Sequence, residues 1–389
     1  MSPPLTVMLV AAEASGDDRG AQLARALKRR LGNGVRFVGV GGQRMAAEGV
    51  QSPFDIADLS ILGLLEGLLA YRRVVRRADE TAALAAREKP DVAVLIDSWG
   101  FTLRVAQRLR RLDPKLPIVK YVGPQVWATR PGRARTLART VDHLLSIHAF
   151  DAPYFEAEGL PVTFVGNSAL TLDFSRADPQ RLRAQIGAGA ADPILLVLPG
   201  SRPGEIERIL PAFEDAVRRL KADRPDLHVV IPAAPTVAET VKASVAGWSF
   251  RAHVIEGEAG KLDAMKAATV ALACSGTVTT ELALAGVAMV IGYRLGAVTY
   301  AIARRLIRTK YITLFNIAAQ AFVAPELVQD ACTGPNLARE VALRLDDAEL
   351  RSRQVLAQYA ALDRMGRGGP DPSEAAADGV LKLLAERSR

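Results

Sequence analysis

Apolar runs and amphipathic stretches alternate along most of the chain. In the first half, runs at 5–11, 35–40, 91–96 and 117–122 predict strands, with shorter ones at 144–147 and 162–165. Between them, apolar spacing predicts helices over 19–31 and 103–112, and a short helix begins at 43–48. A second series opens with the unbroken Ile-Leu-Leu-Val-Leu of 194–198, the pattern of a strand covered on both faces of a parallel sheet. It continues at 228–231, 253–255, 270–273 and 288–293. Such alternation implies an α/β protein whose sites lie at the carboxyl ends of parallel strands. Residues 167–178 are weakly patterned and divide the chain into 1–168 and 169–350, two α/β units with a cleft expected between them. A break from Gly366 to Pro372 precedes a last helix carrying Val380, Leu381 and Leu384, with Ser373 expected as its cap.

Composition narrows this picture. A chain of 389 residues is too long for one typical core, and 49% apolar with only 5% aromatic residues suits helices packed on parallel strands. The formal charge of +8 favours anionic partners: phosphates, nucleic acid or acidic lipid surfaces. The arginines are not interleaved with aromatic side chains as stacking platforms for nucleic acid would be, which argues against an RNA-binding role. Cys274 and Cys332 form no Cys-x-x-Cys pair, so neither a disulfide framework nor a zinc site is expected, and a reducing compartment is. The first residues lack the charged start of a signal peptide, and no uncharged apolar stretch reaches the length of about 18 needed to span a bilayer.

Two turns in the second half carry the clearest chemistry. After 194–198, Pro199-Gly-Ser-Arg-Pro203 leads into a helix marked by Ile206, Ile209, Leu210 and Phe213, with Pro203 suited to its first position. Free N–H groups at that helix start, the Ser201 hydroxyl and the Arg202 guanidinium can hold a diphosphate. Ser275-Gly-Thr277 repeats the arrangement after 270–273, and Glu281 further along can accept from ribose hydroxyls. Together they suggest a nucleotide-diphosphate pocket.

In the first half, Glu13-Ala-Ser-Gly-Asp17 follows the first strand without a Gly-x-Gly-x-x-Gly fingerprint, which counts against a dinucleotide cofactor. Glu13 and Asp17 are acid or base candidates, with capping of the following helix the competing role for Asp17. Asp97 ends a strand and can take a proton from an attacking hydroxyl, or cap the next helix. Trp127 suits a sugar or acyl surface or simple packing. Arg130, Arg133, Arg135 and Arg139 suit a phosphorylated substrate, a lipid surface or a solvated helix face. The apolar stretch 59–71, with Leu64, Leu65 and Leu68 followed by Arg72 and Arg73, reads either as a core helix with a basic end or as an interfacial helix meeting anionic head groups. The four histidines lack metal-ligand spacing, and no Asp-x-Asp occurs to hold a metal-bound sugar nucleotide.

Read together, Glu13-Ala-Ser-Gly-Asp17, Gly39-Val-Gly-Gly42, Ile96-Asp97, Tyr121-Val-x-Pro-x-Val-Trp127, Phe164-Val-Gly166, Leu198-Pro-Gly-Ser-Arg202 with Glu205-Ile206, Ser275-Gly-Thr277 with Glu281, Tyr293-Arg294 and Asn316 resemble the lipid-A-disaccharide synthase family, in order over nearly the whole chain. The resemblance implies a GT-B fold of two Rossmann-like domains, with C-terminal helices at 351–389 returning to the N-terminal domain. It also implies a metal-independent inverting glycosyltransferase, needing no cofactor. Such an enzyme moves 2,3-diacylglucosamine from UDP to the 6-hydroxyl of 2,3-diacylglucosamine 1-phosphate. By the same resemblance, Arg202, Ser201, Ser275, Gly276, Thr277, Glu281 and Asn316 bind UDP and Asp97 is the base. Ser15, Gly16, Asp17, Gln125 and Trp127 fall on the acceptor side. The family is peripheral on the cytoplasmic face of the membrane and commonly dimeric.

Three segments depart from the family pattern. Asp97-Ser-Trp-Gly-Phe-Thr102 stands for Asp-x-Pro-Asp-Phe-Asn, Val165-Gly-Asn-Ser168 for Val-Gly-His-Pro, and Thr313-Leu-Phe-Asn316 for Ser-Leu-Pro-Asn. The alternatives are a relative with another lipid or sugar acceptor, a UDP-sugar epimerase of the same architecture, and a basic membrane-binding protein.

Overall fold

The computed structural model describes residues 3–59, 67–234, 236–307 and 309–387, without the side chains of 67–70, 297–298 and 302–303. The chain divides into two compact units, Met1–Asn167 with Gly369–Arg389, and Ser168–Gly368.

Unit 1 is built on six parallel strands: β1 (Leu5–Val10), β2 (Val35–Val40), β3 (Val92–Ile96), β4 (Ile118–Tyr121), β5 (His143–Ser146) and β6 (Val162–Phe164), in the order β2-β1-β3-β4-β5-β6. Its inner strands are buried on both faces, which is why they read as continuous apolar runs. Unit 2 has β7 (Ile194–Leu198), β8 (His228–Ala233), β9 (His253–Glu256), β10 (Val270–Ala273), β11 (Ala288–Tyr293) and β12 (Glu326–Val328), in the order β12-β11-β10-β7-β8-β9 and again parallel. In each sheet the chain order reverses once: beside β1 and β3 in unit 1, and beside β7 and β10 in unit 2. Ligands of open parallel sheets bind at such reversals, outside the carboxyl ends of the strands.

Several boundaries differ from the sequence pattern. The first helix begins at Ala14, not 19, because Gly16, which has no side chain, lets its first turn coil close against the end of β1; a Cβ on Gly16 would lie 3.2 Å from the Ala11 Cβ. The helix after β3 likewise starts early, at Trp99. The segment 351–389 is not one element: Ala348–Arg364 belongs to unit 2, where Gln354 and Gln358 donate to the carbonyls of Met289 and Val287. Only Gly369–Arg389 joins unit 1. There the helix Pro372–Arg387 buries Ala376, Ala377, Val380 and Leu383 in the core shared with Leu23 and Leu27, and Arg29 and Arg30 clasp Glu374. Its cap is Asp371, whose carboxylate accepts from the N–H groups of Ser373 and Glu374 at 2.8 and 3.1 Å, so Ser373 is capped and not capping.

Candidate active site

At the reversal of unit 2, a cavity of about 630 Å³ is lined by the two turns singled out above. Gly200 leaves β7 with φ +121°, a conformation that suits glycine, and a Cβ there would press within 3.0 Å of Glu205. The helices Pro203–Asp223 and Thr277–Ala285 then start at Arg202 and Gly276 with no side chain capping either. Three other helices of the same unit are capped, by Asp178, Thr333 and Asp347. Both keep N–H donors and positive dipole ends that face the cavity and suit an anion, and the helix Glu258–Ala267, which starts uncapped at Gly257, lines the cavity as well.

Ser201, Arg202, Ser275, Gly276, Thr277 and Glu281 all line this cavity, so the structure brings together six residues that the sequence pattern placed far apart. Arg202 is 80% exposed and, among the described residues, is tethered by Glu205 alone at 3.1 Å, an exposed position from which its guanidinium can turn toward a phosphate. Sequence reasoning missed Lys261, on the helix Glu258–Ala267, which bridges Glu258 at 2.8 Å and Glu281 at 3.0 Å. Burial works to lower this lysine, but the hydrogen bond it donates to Glu258 and the charge of Glu281 outweigh it and raise it above its ordinary value. Cys274 also lines the cavity, its thiol pushed by burial up to about 12 and therefore neutral.

Asn316 is a correction. It is wholly buried, with its amide donating to Ala324 O and Glu326 and its oxygen accepting from the N–H groups of Val323 and Ala324. Each side-chain polar atom has a partner in the loop 311–326, so Asn316 organises that loop, and it is not among the residues that line the cavity. That loop reaches the cavity indirectly, since Ser275 Oγ donates to Ile312 O at 3.1 Å.

In unit 1, the reversal lies between the ends of β1 and β3. Asp97 Oδ2 faces Arg19 at 3.3 Å and Ser15 Oγ at 3.4 Å, and Oδ1 accepts from Ser98 N at 2.9 Å. Asp97 and Ser98 both adopt left-handed backbone, φ +50° and +38°, as does Val122 at the end of β4 with φ +69°. Non-glycine residues held there cost about 1–3 kcal/mol each and cluster at functional sites. Glu13, Ser15 and Gln125 are exposed on this side.

Three residues expected on the acceptor side, Asp17, Gly16 and Trp127, are buried. Asp17 is 5% exposed and inside the first helix; its carboxylate accepts from Gly42, Arg44 and Met45 N–H groups at 2.7–3.0 Å, capping Gln43–Ala47 in place of its own helix. Gly16 is buried against Ala11. The Trp127 ring is likewise buried, its Nε1 donating to Asp151 at 2.9 Å, with Ser146 Oγ 2.6 Å from the other oxygen. Burial pushes the Asp151 carboxyl up to about 6 and His148, stacked on Phe150, down to about 4.

Of the proposed membrane segment, Leu64 and Leu65 lie outside the described residues, as does the side chain of Leu68. Arg72 and Arg73 are exposed on the helix Gly67–Glu88. Among the described residues no helix is long and apolar enough to cross a membrane.

Two six-stranded Rossmann-like units, the second carrying a cavity of about 630 Å³ lined by uncapped helix starts, define a protein of the GT-B class. A family model described as lipid-A-disaccharide synthetase matches residues 7–369. The lipid-A-disaccharide synthase of Rhodospirillum centenum is 43% identical over 384 residues, covering 99% of this chain and 96% of that protein. The chain belongs to the lipid-A-disaccharide synthase family. Among solved structures, the UDP co-structure of S. aureus MnaA (TM-score 0.66, 15% identity, 98% of this chain and 97% of that one) has the same fold. So does a putative UDP-N-acetylglucosamine 2-epimerase from Listeria monocytogenes (TM-score 0.63, 16% identity, 100% and 97%). At those identities the likeness is one of fold alone, so the epimerase reading gains nothing beyond architecture.

Proposed function

We propose that this chain transfers 2,3-diacylglucosamine from UDP to the 6-hydroxyl of 2,3-diacylglucosamine 1-phosphate, forming the β-1,6 disaccharide and UDP. The observation that carries the reading is the pair of uncapped helix starts lining one cavity with Arg202 beside them, together with family membership over nearly the whole chain. The diphosphate is held by the N–H groups that open the helices Pro203–Asp223 and Thr277–Ala285, with Ser201, Thr277 and Arg202 adding donors. Glu281, steadied by Lys261, takes the ribose hydroxyls.

Asp97 accepts the proton of the acceptor hydroxyl as its oxygen bonds to the anomeric carbon, and the bond from that carbon to the diphosphate breaks with its electron pair leaving on UDP. Negative charge grows on the diphosphate at that moment, where preorganised N–H groups and a guanidinium stabilise it most. Ser15 and Arg19 hold the Asp97 carboxylate in place. The exposed Arg72 and Arg73 give unit 1 a basic edge suited to an anionic membrane surface from which acylated substrates are drawn.

Mass spectrometry of products from the purified chain with acylated UDP-glucosamine and the acylated 1-phosphate acceptor tests the reading. A disaccharide 1-phosphate formed only with both substrates is the expected result. Consumption of a UDP-sugar alone, with no disaccharide, would overturn it in favour of epimerisation.

A further inference from the structure

Lys120 lies on β4 in the interior of the unit 1 sheet and is 2% exposed. An ammonium in such a place costs stability, and an apolar side chain of similar volume is often at least as stable. Its bonds show where the charge is spent. Nζ donates to the main-chain oxygen of Asp97 and to Thr102 Oγ1, the latter at 2.8 Å. Thr102 Oγ1 itself lies 2.8 Å from Asp97 O and 2.9 Å from Ser98 O. Ser98 O also accepts from the Thr102 N–H at 3.0 Å, so the Thr102 hydroxyl hydrogen is free for Asp97 O, and the lysine adds a second, charged donor to Asp97 O while fixing the hydroxyl by donating to its oxygen. The two carbonyls belong to the two consecutive left-handed residues, whose strained backbone persists only where its surroundings over-determine it. Around the lysine the remaining lining is apolar, from Leu95, Trp99, Leu103, Leu137 and Val141, and the charges acting on it are those of Asp97 and Glu13.

We propose that Lys120 is a positioning residue for the transfer reaction: with Thr102 it pins the main chain of the Asp97–Ser98 corner and so aims the Asp97 carboxylate at the acceptor hydroxyl. The proposal rests on the reading of Asp97 as the base.

Steady-state kinetics of Lys120→Met, Thr102→Val, Thr102→Ser and Asp97→Asn test it, alongside UDP calorimetry and thermal melts. For Lys120→Met, kcat falls about 100-fold while the donor KM and UDP affinity stay within about twofold, the signature of a misaimed group that takes no part in holding the nucleotide. Thr102→Val loses roughly tenfold in kcat and Thr102→Ser, which keeps the hydroxyl, restores it. A folded Lys120→Met that keeps kcat, or loses UDP affinity in step with kcat, overturns the proposal. Should Lys120→Met fail to fold, the threonine pair decides: equal rates for Val and Ser overturn it, and a gap between them supports it. Asp97→Asn separates the two readings. Lost turnover there with an intact rate in Lys120→Met sinks only the positioning role, whereas retained turnover in Asp97→Asn sinks the base.

Discussion

The two units share a sheet architecture and solve opposite problems at its reversal point. In unit 2 the strands hand over to helices through small or glycine residues, the helix starts are left open, and the cavity between them is large. In unit 1 the corresponding corner is made of non-glycine residues in left-handed backbone, braced from beneath by a buried lysine. A departing diphosphate is bulky and gathers charge over several oxygens, so many loosely directed donors around an open space serve it. A base is one pair of oxygens that must point at one hydrogen, so rigidity at a single corner serves it. On the proposed function, the difference teaches that one scaffold yields an anion cradle or an aimed carboxylate according to the few residues set at the carboxyl end of a strand.

The sharpest way to break this comparison is to strip one function from each unit. Asp97→Asn removes proton acceptance and is expected to lower kcat by about 10²–10⁴-fold, with UDP affinity unchanged in calorimetry. Arg202→Ala is expected to do the reverse in kind, weakening UDP binding by about tenfold through one lost charge-assisted contact. Loss of UDP binding in Asp97→Asn would show that the two units do not divide the work in this way.

Asn316 sharpens the comparison inside unit 2. Removing its amide by Asn316→Ala takes a partner from the half-buried Glu326 and the Val323 N–H and from the buried Ala324 N–H and carbonyl, a cost of roughly 1–3 kcal/mol. The expected result is a lower urea midpoint with UDP affinity little changed, since among the described residues none of the loop 311–326 lines the cavity and its hydrogen bond to the lining runs from Ser275 to the Ile312 carbonyl. Full stability with UDP binding abolished would restore Asn316 as a nucleotide ligand.

How much of this was legible in the sequence depends on how local each feature is. The cradle of unit 2 is written in two short windows, 198–206 and 273–282, where an apolar run stops at small and hydroxyl residues and a helix begins. Both parallel sheets were legible too, because doubly buried strands read as apolar runs. Lys120 was not, since it sits in Pro-Ile-Val-Lys-Tyr-Val as an ordinary strand residue, and only register with β3 brings it under Asp97. Lys261 was hidden the same way, one charge on a helix whose partner Glu281 lies 20 residues on. The partners of Asn316, expected from the family resemblance alone, and of Asp17, for which capping was one of the two readings, lie in β12 and at the start of the Gln43–Ala47 helix, far along the chain from Asp17 and out of reach of a local pattern. The small residues before Arg19 passed for a loop because their helical conformation depends on tight packing against β1.

The smallest effect concerns the charge beneath the unit 1 corner, and its sign is fixed by proton counting. Burial draws Lys120 from the ordinary lysine value of 10.5 down to about 7, against the opposing pull of Asp97 and Glu13. Between those values the unfolded chain holds a proton that the folded chain has released. Stability rises with pH wherever the unfolded state binds more protons, so this lysine makes the protein gain stability as pH climbs above about 7. Below that point both states are protonated and the dependence vanishes. Lys120→Met removes the titrating group, and the wild type should therefore gain on the variant by roughly 1 kcal/mol for each pH unit above about 7. Urea midpoints of the two proteins measured at a series of pH values give the comparison directly. A widening gap toward alkaline pH marks a lysine that surrenders its charge in the fold, whereas parallel curves would mean that it keeps its proton and that the corner is braced by a permanent ammonium.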